Sequence, residues 1–116
     1  MKKIEAIIEP VQFGDVKQAL SGVGVTDLAT SEVRGVDPLG RHTEIYRGVE
    51  YTVDLIPKIK VETVVADDLA DCAISAITDA APPRDGRSGK IFVSPVEEVV
   101  VIRNEARRRG IVPRVR

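Results

Sequence analysis

The apolar residues of this chain switch between a period of two and a helical period, and the order of those switches restricts the fold more than any other feature. Ile4, Ala6 and Ile8 alternate with Lys3, Glu5 and Ile7 before Pro10, as in a strand that buries one face. Phe13, Val16, Ala19, Leu20 and Val23 then recur at three- and four-residue spacing, with Asp15 early, where a helix favours negative charge, and Gly22 and Gly24 near the stop. Alternation returns from Leu28 to Arg34 and ends at Gly35. From Lys58 to Val65 it places Ile59, Val61, Thr63 and Val65 on one face and Lys58, Lys60, Glu62 and Val64 on the other. Pro57 lacks a ladder donor and is expected to keep a central strand from its own position. Asp67 and Asp68 are N-cap candidates for a second helix reaching about Asp79, with Leu69, Cys72, Ala73, Ala76, Ile77 and Ala80 as its apolar stripe. Pro82 and Pro83 close it, and Ile91-Phe92-Val93 opens a fourth strand. After a bend at Ser94-Pro95, Val99 to Ile102 is expected to continue extended, and Glu105 to Arg109 to form one polar turn.

The order β-α-β-β-α-β predicts an α+β, ferredoxin-like sandwich: a four-stranded antiparallel sheet with both helices on one face. The opposite face must meet another surface, and Ile, Val and Leu there would suit a homo-oligomer. A length of 116 residues with 43% hydrophobic content fits one domain. Residues 1–102 hold 11 Lys+Arg against 17 Asp+Glu, whereas residues 103–116 hold six Arg against Glu105, a basic tail on an acidic body. The net charge of −1 and the lack of aromatic stacking residues on the sheet argue against nucleic acid as a partner. No apolar run approaches the roughly 18 residues of a membrane span, and the N-terminus enters an alternating pattern without a signal-peptide core, so a cytoplasmic protein is expected. Cys72, the only cysteine, reads as a small buried apolar residue.

Between Gly35 and Lys60 about twenty residues lack core periodicity, a length that compact domains rarely leave structureless unless the loop is functional. The stretch holds Tyr46 and Tyr51, half of the aromatic residues, and the only histidine, His42, so it reads as an effector surface. His42 has only Glu44 and Asp37 as local oxygen ligands, too few for a metal site, and none is assigned. A phosphoryl-transfer enzyme using His42 on a ferredoxin-like core is the rival from a different class. Within Tyr46-Arg47-Gly48-Val49-Glu50-Tyr51, the tyrosines either pack the loop on a neighbouring subunit or offer a hydroxyl for modification or partner contact. Gly86-Arg87-Ser88-Gly89-Lys90, with Arg84 beside it, offers backbone N–H groups and cations to a phosphate, or else is a solvated turn. It is no P-loop, because no Ser or Thr follows Lys90 and a strand rather than a helix comes next.

Together these pieces resemble the PII signal-transduction family. The resemblance runs through Met-Lys-Lys-Ile-Glu-Ala-Ile-Ile-Glu-Pro at the start, Glu32-Val33-Arg34-Gly35, His42 to Tyr51, Val53 to Glu62, Asp67-Asp68 and Gly89-Lys90-Ile91-Phe92-Val93. It implies a non-enzymatic homotrimer, with no catalytic residue, that binds ATP or ADP in the clefts between subunits. The long T-loop (36–57) would report the bound ligand to an enzyme, a regulator or a membrane transporter. The second, B-loop (81–90) and the basic tail (103–116) complete the domain. By this resemblance Gly89, Lys90 and Arg103 hold the phosphates, and Gly35, Glu62 and Val64 border ribose and adenine; Arg87 and Ser88 of the same loop are further nucleotide-binding candidates by their own chemistry. Lys58 is the candidate effector anchor, and Tyr51 the candidate nucleotidylation site.

Departures from the family pattern modify that expectation. Val36-Asp37-Pro38-Leu39-Gly40-Arg41 lacks the glutamine that in the family helps hold Mg and 2-oxoglutarate; Leu39 cannot ligate a cation, and Asp37 would repel a dicarboxylate. This argues against 2-oxoglutarate sensing, leaves Mg open and admits AMP beside ATP and ADP. Arg87 stands where the family has a glycine, and Val101 where it often has a second arginine. Divergent branches of the family serve transporters of bicarbonate or metals, the alternative within the same class.

Overall fold

The computed structural model describes residues 1–36, 42–46, 49–53, 55–84 and 86–102, with backbone only for those between 42 and 53. Strand β1 (Lys2–Ile8) leads through a 3-10 turn (Pro10–Gln12) into helix α1 (Phe13–Gly22) and strand β2 (Ala29–Val36). Strands β3 (His42–Tyr46) and β4 (Val49–Val53) form a hairpin; β5 (Leu55–Val65), α2 (Asp67–Ala80) and β6 (Lys90–Pro95) follow. The sheet order is β2-β5-β1-β6, every pair antiparallel. Each helix therefore links two parallel strands across the strand between them, the split βαβ arrangement expected of a ferredoxin-like α+β fold.

The core lies between one sheet face and the helices. Ile4, Ala6 and Ile8 of β1 and Val61 and Val65 of β5 meet Val16 and Leu20 of α1 and Ala70, Ala73 and Ile77 of α2, all buried. Burying each large aliphatic side chain contributes about 1.5–3 kcal/mol, whereas the alanines of α2 add little area but let the helix sit close. Thr63 shares that face because its hydroxyl donates to the Asp27 carbonyl at 2.9 Å. Helix α1 ends in a Schellman motif: the Val25 N–H donates to Leu20 O at 2.9 Å and the Gly24 N–H to Ser21 O at 3.0 Å.

Several expectations are corrected. Pro57 lies within β5, opposite Arg34 of β2. The β1 ladder with β5 ends at Ile8–Ile59, so at Pro57 the strand has a neighbour on one side only and a missing donor is tolerated. The segment expected to lack structure contains β3 and β4, which pair from His42–Val53 to Tyr46–Val49. Asp67 and Asp68 occupy the first turn of α2, and Ala66 is the N-cap. Cys72 is exposed, because the buried stripe of α2 runs through Ala70, Ala73 and Ile77, and position 72 lies to its side. Val99 to Ile102 form no strand: the ladder ends at Lys2–Pro95, and the Val96 N–H donates to the carbonyl of Met1 at 3.0 Å, one residue before β1 begins. The turn expected at Glu105 to Arg109 lies outside the described residues.

The open sheet face carries the charged residues that the alternation from Lys58 to Val65 places there. Glu5 and Glu62 stand directly opposite each other on β1 and β5, and the repulsion is relieved by two lysines. Lys3 Nζ lies 3.3 Å from Glu5 and 3.5 Å from Glu62; Lys60 Nζ lies 3.1 Å from Glu5 and 3.4 Å from Glu62. Hydrogen bonding to Lys60, then to Lys3, lowers the Glu5 pKa, and Glu5 followed by Glu62 raises that of Lys60. Phe92 stands opposite Glu5 on the other side and is exposed.

Candidate functional site

Where β1 ends, the open face holds a cavity of about 650 Å³, within the size range of small-molecule sites. Its apolar wall is Ile7 of β1, Val33 and Val36 of β2, Ile56 of β5 and Phe92 of β6. Arg34, Gly35 and Lys58 line the side at the root of the β3–β4 hairpin, and Gly86, Arg87, Ser88, Gly89 and Lys90 close the other. Six sequence-derived candidates, Gly35, Lys58, Arg87, Ser88, Gly89 and Lys90, thus share one cavity although they come from three separate stretches of chain.

Local chemistry explains how the second loop reaches this position. Arg84 and Arg87 exchange backbone hydrogen bonds, 2.8 Å from Arg84 N to Arg87 O and 2.7 Å in return. The exchange closes a tight turn, in which Gly86 supplies a φ of 74°. The Arg87 N–H is therefore spent inside the turn rather than offered to a ligand. The chain then crosses the end of β1 at Gly89, where a Cβ would lie 2.5 Å from the Ile7 carbonyl oxygen, so only glycine fits this crossing.

Two residues that the sequence reading passed over anchor the corner beneath the cavity. Gln12 is buried: its Nε2 donates to Pro82 O at 2.8 Å, and its Oε1 accepts from the Glu9 N–H at 3.1 Å. The start of the second loop is thereby held to the end of β1. Glu9 Oε1 accepts from Lys58 Nζ at 2.7 Å, with side chains only 20% and 16% exposed. Pro10 at the first position of the turn was a legible signal for that corner. The Glu9–Lys58 pair spans 49 residues and left no local signal.

The remaining candidates lie elsewhere. Glu62 and Val64 line a separate cavity of about 220 Å³ with Lys3, Asp27, Ala29, Thr63 and Val99. At about 3.3 Å per strand residue, Glu62 is roughly 13 Å along β5 from Lys58. Arg103 lies outside the described residues, and for Tyr51 only the backbone, opposite Glu44 in the hairpin, is described. Among the described residues no cluster of three His, Cys, Asp or Glu side chains could hold a metal. No helix among them is long and apolar enough to cross a membrane.

Fold and site together define a class: a ferredoxin-like α+β domain with a ligand-sized, partly cationic cavity at the root of a hairpin between its second and third sheet strands. Comparison supplies the particular family. The family model described as "Nitrogen regulatory protein P-II" matches residues 1–106. The chain is 52% identical over 103 residues to the nitrogen regulatory protein P-II of Azospirillum brasilense and 48% identical to that of Cereibacter sphaeroides, each match covering 89% of this chain and 92% of the relative. The P-II protein of Pasteurella multocida is 50% identical over the same length. The chain belongs to the nitrogen regulatory protein P-II family. It is thereby a signal-transduction regulator, of a family whose members act through target proteins in nitrogen regulation and are not enzymes.

Proposed function

We propose that this regulator is a cytoplasmic homotrimer that binds an adenine nucleotide, ATP, ADP or AMP, in its intersubunit clefts. The 36–57 segment would carry the state of the site to a target enzyme, regulator or membrane transporter. The observation that carries the reading is the shared cavity of Gly35, Arg87, Ser88, Gly89 and Lys90 at the root of the hairpin. Its apolar wall suits a base, its cationic loop suits phosphates, and a ligand there touches β2 where the chain leaves for the T-loop. A nucleotide whose contacts differ between two hairpin arrangements by 1–3 kcal/mol shifts which arrangement a target meets.

The separation of Glu62 and Val64 from that cavity supports a site split between subunits. In a cyclic trimer each cleft joins one face of a protomer to a different face of the next, so the large cavity of one chain would be completed by the Ala29, Glu62 and Val64 surface of its neighbour. Arg103 is proposed to add a phosphate contact, and Tyr51 to be the modification site.

Calorimetric titration of ATP, ADP and AMP, each with and without Mg²⁺, tests this reading. Dissociation constants well below millimolar for at least one of them are expected; no binding below millimolar would overturn it. Sedimentation equilibrium at three times the chain mass is the matching test of the assembly.

A further inference from the structure

We propose that Glu9 sets the ligand selectivity of the large cavity, by engaging the Lys58 ammonium so that free carboxylates are refused there while phosphates are received at the Arg87–Lys90 end. The inference deepens the reading of this cavity as a nucleotide site and rests on it. Lys58 lines the cavity and its stem runs past Gly35, whose missing Cβ would lie 3.7 Å from Lys58 Cγ and 3.9 Å from Cε. The ammonium leans to the end of β1, where Glu9 Oε1 holds it at 2.7 Å. Glu9 itself is not part of the cavity wall. At this end the site offers an incoming anion a cation already matched by a carboxylate.

A small dicarboxylate has two ways to use Lys58, and both are unfavourable. To displace Glu9 it must compete with a carboxylate tethered at an effective concentration on the order of millimolar or above. Displacement also leaves a half-buried Glu9 charge without its partner. To share Lys58 it must bring a like charge within a few ångströms of Glu9. Both groups are largely shielded from solvent, so salt screens the pair far less than it would a surface pair. At the far end Lys90 follows Gly89, where the chain passes close to the Ile7 carbonyl and backbone can come near a ligand, a setting suited to phosphate. The cavity therefore selects phosphorylated ligands and ignores carboxylate metabolites.

The test titrates 2-oxoglutarate into the full chain in saturating Mg-ATP, for wild type, Glu9→Gln and the double variant Glu9→Gln/Lys58→Gln, with ATP affinity and thermal melting measured first on each. Glutamine keeps an oxygen acceptor and nearly the same volume; Glu9→Ala, taken through the same titrations, substitutes if the glutamine variant does not fold. Wild type is expected to bind no 2-oxoglutarate below millimolar, Glu9→Gln to gain at least tenfold, and the double variant to lose that gain. Tight binding by wild type, no gain in Glu9→Gln, or a gain that survives without Lys58 would each overturn the proposal. The nucleotide reading fails separately, by absence of ATP binding in wild type. In that event the same variants are titrated with succinate alone, and Glu9→Gln must still bind at least tenfold more tightly than wild type.

Discussion

Gly89→Ala should damage both the fold and the proposed nucleotide site, while Gly35→Ala, in the same cavity, should leave the fold intact. At position 89 the added methyl would sit 2.5 Å from the Ile7 carbonyl oxygen, where ordinary contact begins at 3.4 Å. The obstacle is backbone of β1, a central strand hydrogen-bonded on one side to β5 and on the other to β6, so it cannot swing aside as a side chain would. The loop must lift by roughly an ångström, and overpacking of this kind costs about 1–3 kcal/mol. In a domain of this size each kcal/mol lowers the melting temperature by about 4 °C or more. At position 35 the nearest atoms are the flexible Lys58 stem at 3.7 and 3.9 Å, so alanine fits and removes backbone freedom from the unfolded chain. Differential scanning fluorimetry and ATP titration on both variants give the answer. The expected result is a melting point several degrees lower and at least tenfold weaker ATP binding for Gly89→Ala, with the melting point of Gly35→Ala unchanged or slightly raised. If Gly89→Ala melts within about 1 °C of wild type and binds ATP equally well, the close-approach argument is wrong.

Three further outcomes follow from the same geometry. Gln12→Ala strands the Pro82 carbonyl and the Glu9 N–H, and should cost about 1–3 kcal/mol in urea unfolding. Thr63→Val keeps the shape but removes the donor to Asp27 O, and should cost about 1 kcal/mol by the same measurement. Asp67, 2.9 Å from the Met1 ammonium, has a pKa lowered by that hydrogen bond and charge, and Glu5 one lowered by Lys60 and then Lys3. Groups with depressed folded values stabilise above their unfolded values and lose that contribution as pH falls through the folded ones. Denaturation midpoints should therefore drop below about pH 4, and Asp67→Asn should flatten part of that drop. The raised Lys60 value works in the opposite sense: its contribution is complete below the ordinary lysine range and is lost as pH rises past it.

Elements whose periodicity reflects one dominant burial face were legible in the sequence. Ile4, Ala6 and Ile8 alternate because β1 has helices on one side, and Val16 and Leu20 are spaced for a helix because α1 has one buried stripe. The failures have physical causes of their own. Pro57 was read against a complete sheet, whereas β1 ends before reaching it. The β3–β4 hairpin was passed over, although Gly48 between two runs rich in β-branched and aromatic residues was a usable signal. Cys72 was placed inside because residues at its spacing are apolar, yet the stripe of α2 is narrower than that set.

The site divides along the same line. Gly89 and Lys90 were legible as a loop suited to phosphate, but their meeting with Gly35 and Lys58 depends on β1 and β5 bringing distant stretches together. Glu9 and Gln12 act through partners 49 and 70 residues away, which no local pattern announces.

The central claim, a nucleotide site assembled from two different faces of neighbouring chains, is tested most directly by complementation. Lys90→Ala impairs the large cavity and Glu62→Ala the small one, and each homogeneous protein should bind ATP at least tenfold more weakly than wild type. Co-expressed as mixed assemblies, the two chains should regain wild-type affinity in those clefts where an intact loop faces an intact neighbour. Mixed assemblies that bind only as weakly as the two parents would contradict the shared site.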